Sequence, residues 1–245
     1  MSAPSRIVYL TPLEGCDPTA EPLMRFRLTY EGELRSTQGE ARNGQQVPFA
    51  QHKHAIRKLF HGQLKQLWQT HKFLREQVVS LEEVHVTPTQ LHHRVGTLVG
   101  RPPERLLLSE AIAANTPRLF DYRFVPLVRE EFSLLCNLEI LFLRRDFPIG
   151  VISAGDLDNR VKTLIDTLRL PKNANELMGN EKSDEGEDPF FCLLEDDDLV
   201  TGLTVESGML LDPPRAGDGG DARVKLVISV ELKPDEVTMF NLGFA

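Results

Sequence analysis

The sequence predicts an α+β protein, and three stretches carry that prediction. From Val224 to Leu232, VKLVISVEL alternates apolar and polar residues, the period of a strand with one buried face. From Phe132 to Arg144, FSLLCNLEILFLR is a dense apolar run, which fits a central strand covered on both faces. From Gly155 to Leu170, GDLDNRVKTLIDTLRL places Val161, Leu164, Ile165 and Leu168 at helical i, i+3, i+4, i+7 spacing.

The remaining elements follow in chain order. Around Met24 to Gly32, MRFRLTYEG puts Phe26, Leu28 and Tyr30 on one side of an extended chain, so a half-buried strand is expected. Phe49 to Arg75 spaces Ile56, Leu59, Phe60, Leu64, Leu67, Trp68 and Phe73 mostly by three and four, as a long amphipathic helix does. Between Gln77 and Leu119 the apolar segments are short and broken by Pro88, Pro102, Pro103 and Pro117; LLLSEAIAA from Leu106 reads as a short helix. The helix of residues 155–170 takes Asp158 or Asn159 as its N-cap and stops before Pro171. Lys172 to Pro189 offers little to bury and reads as a flexible insertion. Phe190 to Leu194 is a strand expected to continue past the acidic run into Leu199 to Val205, and a Pro and Gly loop, DPPRAGDGGDA, leads to the last strand.

A chain of 245 residues with 41% hydrophobic content can bury one sizeable core. One domain spanning 1–245, with insertions near 77–119 and 172–190, is the expectation. No apolar run reaches the roughly 18 residues that cross a bilayer, and the first residues lack the pattern of a signal peptide. A cytoplasmic protein with no membrane partner is expected. Cys16, Cys136 and Cys192 are too scattered for a disulfide framework or a thiolate metal cage, and a reducing compartment suits them.

The net charge of -8 argues against a protein that coats nucleic acid by charge alone. Its distribution is uneven. Between Glu21 and Ser80 ten basic residues face five acidic ones, whereas Glu181 to Asp221 is strongly acidic and includes Glu195, Asp196, Asp197 and Asp198 in succession. That asymmetry suits an electropositive DNA face beside an acidic metal site, and equally suits ordinary solvated surface.

Asp156 and Asp158 stand two residues apart on the approach to a helix; on extended backbone their carboxylates point to the same side. Two carboxylates on one side are costly without a cation between them, and hard oxygen ligands suit Mg2+ or Mn2+ better than zinc. Asp158, Lys162 and Asp166 are spaced by four and four, which aligns them on the polar side of the helix. Lys162 thereby stands one turn from the acid pair, a position from which a cation can hold a phosphate. A third carboxylate is expected from Glu195 to Asp198, with Asp196, Asp197 and Asp198 all open as the ligand.

The combined pattern resembles the RusA family of Holliday-junction resolvases. Asp156-Leu157-Asp158-Asn159, then Lys162, then Asp166 with Leu168, then a variable segment, then Asp196-Asp197 with Leu199 and Val200, is similar to that family's D-x-D-N-x-x-K-x-x-x-D-x-L helix start and later aspartate pair. The resemblance implies a RusA-like small mixed β-sheet with helices packed on it, here enlarged by insertions. It implies a Mg2+-dependent endodeoxyribonuclease that acts on branched DNA as a homodimer. By the same resemblance Asp156, Asp158 and Asp197 are metal ligands, Lys162 contacts the phosphate, and Asn159 and Asp166 support the site.

Two other readings belong to different classes: a RusA fold retained without catalysis as a DNA-binding or protein-interaction module, and a metal-dependent phosphodiesterase acting on RNA or a small nucleotide. His52, His54, His61, His92 and His93 repeat no ligand spacing and are expected at solvated positions. Trp68 is expected in the core.

Overall fold

Leu226, Ile228 and Val230 alternate inward along one strand, and each lies opposite another apolar residue. The computed structural model, which describes residues 6–10, 24–36, 48–83, 104–145, 156–211, 223–237 and 241–244, pairs them with Phe142, Ile140 and Leu138. These residues belong to β9 (Arg223–Pro234) and β6 (Leu134–Arg144). With β2 (Arg25–Glu33) and β8 (Val200–Met209) they form a four-stranded sheet in the order β2-β9-β6-β8. β2 and β6 are antiparallel to β9, and β6 is parallel to β8, so the sheet is mixed.

Every second residue of β6 is buried while Glu139 and Leu141 on the other face are exposed. The strand is central, yet among the described residues it is covered on one face only, not on both. A run of apolar residues on both faces does not by itself reveal whether a layer covers the second face.

Parallel strands cannot be joined by a tight turn, and the connection from β6 to β8 is accordingly long. It contains α4 (Asp156–Leu168) and β7 (Phe190–Leu194). β7 pairs in parallel with β5 (Phe124–Val128), and both strands are buried throughout. The strand expected to run from Phe190 through Val205 is therefore two strands in two sheets, divided at the acidic run.

The long helix of residues 49–75 is also two elements, α1 (Phe49–Thr70) and α2 (Lys72–Glu76), separated at His71, whose ψ of 121° is extended. α1 buries Ile56, Phe60, Leu64 and Trp68 in the main core, whereas Leu59 is 55% exposed. Within 77–119, β3 (Val78–Glu83) pairs with β1 (Arg6–Leu10) and β4 (Glu104–Leu107), and α3 (Leu108–Asn115) supplies the expected short helix.

The segment from Lys172 to Pro189 is not a loose insertion. A 3-10 turn, Ala174–Leu177, sinks Leu177 into a small second cluster with Tyr122, Phe124, Phe190 and Cys192. Polar contacts pin the rest to α1: Lys58 pairs with Asp184 at 2.6 Å and Glu187 at 2.9 Å, and Lys65 donates to the Gly186 carbonyl at 2.6 Å. Hydrophobicity could not predict this anchoring, because one leucine and several ionic contacts hold it.

His54 and His61 are corrections of the same kind. Both are buried, not solvated, and their rings stack on Phe190 at centroid distances of 5.8 and 4.4 Å. His52 is partly buried; His92 and His93 lie outside the described residues.

Candidate metal site at the start of β8

The acidic run begins where β7 ends. Glu195 continues the β5 pairing by donating its N–H to the Val128 carbonyl at 2.9 Å, and its carboxylate accepts the Glu130 N–H at 3.2 Å. Asp196 then caps a 3-10 turn, Asp197–Leu199, by accepting the Asp197 N–H at 2.7 Å. That cap, a role for which short acidic side chains are favoured, folds three consecutive aspartates around one turn. One carboxylate oxygen from each of Asp196, Asp197 and Asp198 lies within 4.8 Å of the others.

Two cations face this group. Lys172 Nζ is 2.8 Å from an oxygen of Asp196 and 2.8 Å from one of Asp197. Arg169 Nε is 3.5 Å from Asp197, while the same guanidinium pairs with Asp166 and Glu176 at 3.2 Å each. Hydrogen bonding with Asp196, followed by Lys172, holds the Asp197 carboxyl below the ordinary carboxylate range; bonds to Asp196 and Asp197 raise the Lys172 ammonium. Among the described residues this group offers only carboxylate oxygens, a donor set that suits Mg2+ or Mn2+ better than zinc.

The other expected site residues are on α4. Asp156 is its first residue, and its side chain lies outside the described residues. Asp158 and Asn159 fall inside the first turn instead of capping it. Residues 156 to 158 are helical, not extended, so the alignment expected for side chains two apart on extended backbone does not apply. Asp158 and Lys162 are exposed and make no ion pair among the described residues.

Asp166 is held by Lys53 at 3.3 Å and by Arg169, and not by Lys162. The oxygen group formed by Asp196, Asp197 and Asp198 does not include Asp158.

Sequence reasoning missed Lys172, Arg169, Arg57 and Glu176. Arg57 is 1% exposed and donates to the carbonyls of Arg169 at 3.3 Å and Asp166 at 3.0 Å, and to Glu176 at 3.3 Å. Its place beside the Ile56, Phe60, Leu64 row was the one available signal that it enters the core. The basic excess of residues 21–80 is engaged in part within the molecule, because Lys53, Arg57 and Lys58 all pair with acids of α4 or of residues 172–189.

No protein-family model matches the chain, and searches of curated proteins and of solved structures give no match.

Proposed function

We propose that this chain is a metal-dependent, structure-selective endodeoxyribonuclease with a RusA-like fold, acting on Holliday junctions or other branched DNA. One observation carries the reading. Asp196, Asp197 and Asp198 gather their oxygens at the start of β8, where the motif resemblance puts the third metal ligand. The mixed sheet, with α4 in the connection between its two parallel strands, supports the RusA-like assignment.

In this reading Asp197, at the Asp196–Asp198 turn, would hold a Mg2+ or Mn2+ ion; the motif resemblance adds Asp156 and Asp158 as ligands, of which Asp158 stands outside that oxygen group. Such an ion, when bound, would provide a water nucleophile at neutral pH and charge stabilisation for the phosphate. Lys162, exposed one turn beyond Asp158, holds the phosphate being cut. Two symmetric incisions require two copies of the chain, so the active form is a homodimer.

A second reading is favoured by a different observation. Asp196 and Asp197 already have Lys172 and Arg169 as partners, and Asp158 stands outside their group. A RusA fold kept as a DNA-binding or protein-interaction module has that character, with the acids serving as structural ion pairs.

One experiment separates them: incubation of a synthetic four-way junction, linear duplex DNA and RNA with the purified chain and its Asp158→Asn and Asp197→Asn variants in Mn2+ or Mg2+. The nuclease reading expects junction nicking that both substitutions abolish. Equal cutting by Asp158→Asn and the parent chain removes the ligand assignment. Absence of nicking on any substrate selects the non-catalytic module, and preference for RNA selects a phosphodiesterase of another class.

A further inference from the structure

We propose that two copies of this chain associate through β2, the strands adding antiparallel about a two-fold axis at Thr29, and that Gln63 is a latch which the second copy displaces. The inference names the surface of self-association and uses nothing of the acidic turn.

The edge itself is the first argument. Among the described residues β2 pairs with β9 on one side and with no strand on the other. Gln63 fills part of that open side: its carboxamide accepts the Thr29 N–H at 2.9 Å and donates to the Thr29 carbonyl at 2.8 Å. A carboxamide is chemically a peptide group, and those are the two bonds that a second antiparallel strand would make to Thr29. Backbone groups alternate in direction along a strand, so Arg25 and Arg27 present theirs on the same side as Thr29.

Charge decides the occupant. Arg25, Arg27, Thr29, Glu31 and Glu33 share one face of β2. A two-fold axis at Thr29 sets Arg27 opposite the partner's Glu31 and Arg25 opposite the partner's Glu33, and symmetry repeats both pairs. Arg27 is exposed and makes no ion pair among the described residues. Glu31, although it meets Arg223 and Lys225, keeps 40% of its side chain exposed. β8, the opposite edge of the sheet, carries one charge, Glu206, and no such pattern. The same axis keeps both copies of α1 on one side of a continuous sheet. Leu59, 55% exposed, stands beside this edge in an open groove with Gly62 and Gln66, which the second copy closes.

The test is the association state, by sedimentation equilibrium over a concentration series, of the parent chain, Gln63→Ala, Arg27→Glu and Glu31→Arg. In Gln63→Ala two hydrogen bonds no longer compete with the second strand, so it should dimerise about tenfold more tightly than the parent. Arg27→Glu and Glu31→Arg each set like charges face to face and should alone dimerise about tenfold more weakly. Mixed one to one, those two variants should form a heterodimer, because each position then meets the opposite charge. In the parent and in Gln63→Ala the Arg27 amide should also exchange more slowly with deuterium as protein concentration rises.

Monomers throughout, Gln63→Ala included, overturn the proposal. So does a dimer whose affinity neither charge variant alters, a mixture that stays apart, or Arg27 exchange indifferent to concentration in both proteins. Association through β2 without junction cleavage supports the interface and removes the nuclease. Junction cleavage by a chain whose association ignores both charge variants does the reverse.

Discussion

His61 Nδ1 accepts the backbone N–H of Phe191 at 2.8 Å, tying the middle of α1 to β7 through a neutral imidazole. The other ring nitrogen faces the Gly186 carbonyl at 3.3 Å, so Nε2 carries the proton and donates. Seven residues earlier on the same face, His54 Nε2 lies 3.2 Å from the Tyr122 hydroxyl, which itself donates to the Lys182 carbonyl at 2.9 Å. Two imidazoles thus join the helix to the buried strand and to the segment beyond α4, and both do so uncharged.

Acid should therefore loosen this face. Burial holds both histidines below their ordinary value of 6.5, His54 down to about 3. A depressed histidine binds fewer protons folded than unfolded, so its stabilisation is complete above pH 6.5 and falls as pH drops from there towards 3. The limiting slope is about 1.4 kcal/mol per pH unit for each group. Between pH 7 and 4.5 the parent chain should lose about 2–3 kcal/mol more than His54→Phe, measured by urea unfolding; equal losses would contradict it.

Arg57 is expected to matter more for stability than any surface charge. Its guanidinium joins α1 to the end of α4 and to Glu176, with 1% of the residue exposed. Arg57→Met should cost about 3 kcal/mol, because the Asp166 and Arg169 carbonyls lose their guanidinium donor and Glu176 loses one of its two arginine partners. A shift in the urea midpoint equivalent to less than about 0.5 kcal/mol would mean that water replaces it freely.

Leu177→Ala tests whether residues 172–189 are held by their one buried leucine. The side chain fills the cluster of Tyr122, Phe124, Phe190 and Cys192, so its truncation should cost about 2–4 kcal/mol. Amides of residues 178–187 should also exchange faster with deuterium than in the parent chain. Unaltered exchange there would show that the lysine contacts of α1 suffice.

Much of the fold was legible because periodicity reports burial. The residues read inward on β2, β9 and α4 are buried or partly so, and Trp68 lies in the core at 4% exposure. The errors arose where contacts come from elsewhere in the chain. Apolar residues on both faces of β6 suggested a second covering layer, yet Leu141 is exposed; a polar stretch concealed an anchored segment; histidines counted as polar proved to be packed against Phe190. For the site, the spacing of Asp156, Asp158, Lys162 and Asp166 and the run ending at Asp198 were visible. Lys172 was not, since nothing local to it announces the aspartates it meets.

The sequence by itself determined where strands and helices form and which residues carry concentrated negative charge, because alternation, helical spacing and turn residues act over a few neighbours. Only the tertiary structure decided which charges meet. Arg57 and Glu176 are 119 residues apart in the chain, and Lys53 and Asp166 are 113 apart, yet each pair lies within 3.3 Å. Partner choice across such intervals depends on how the layers dock, and no local pattern encodes it.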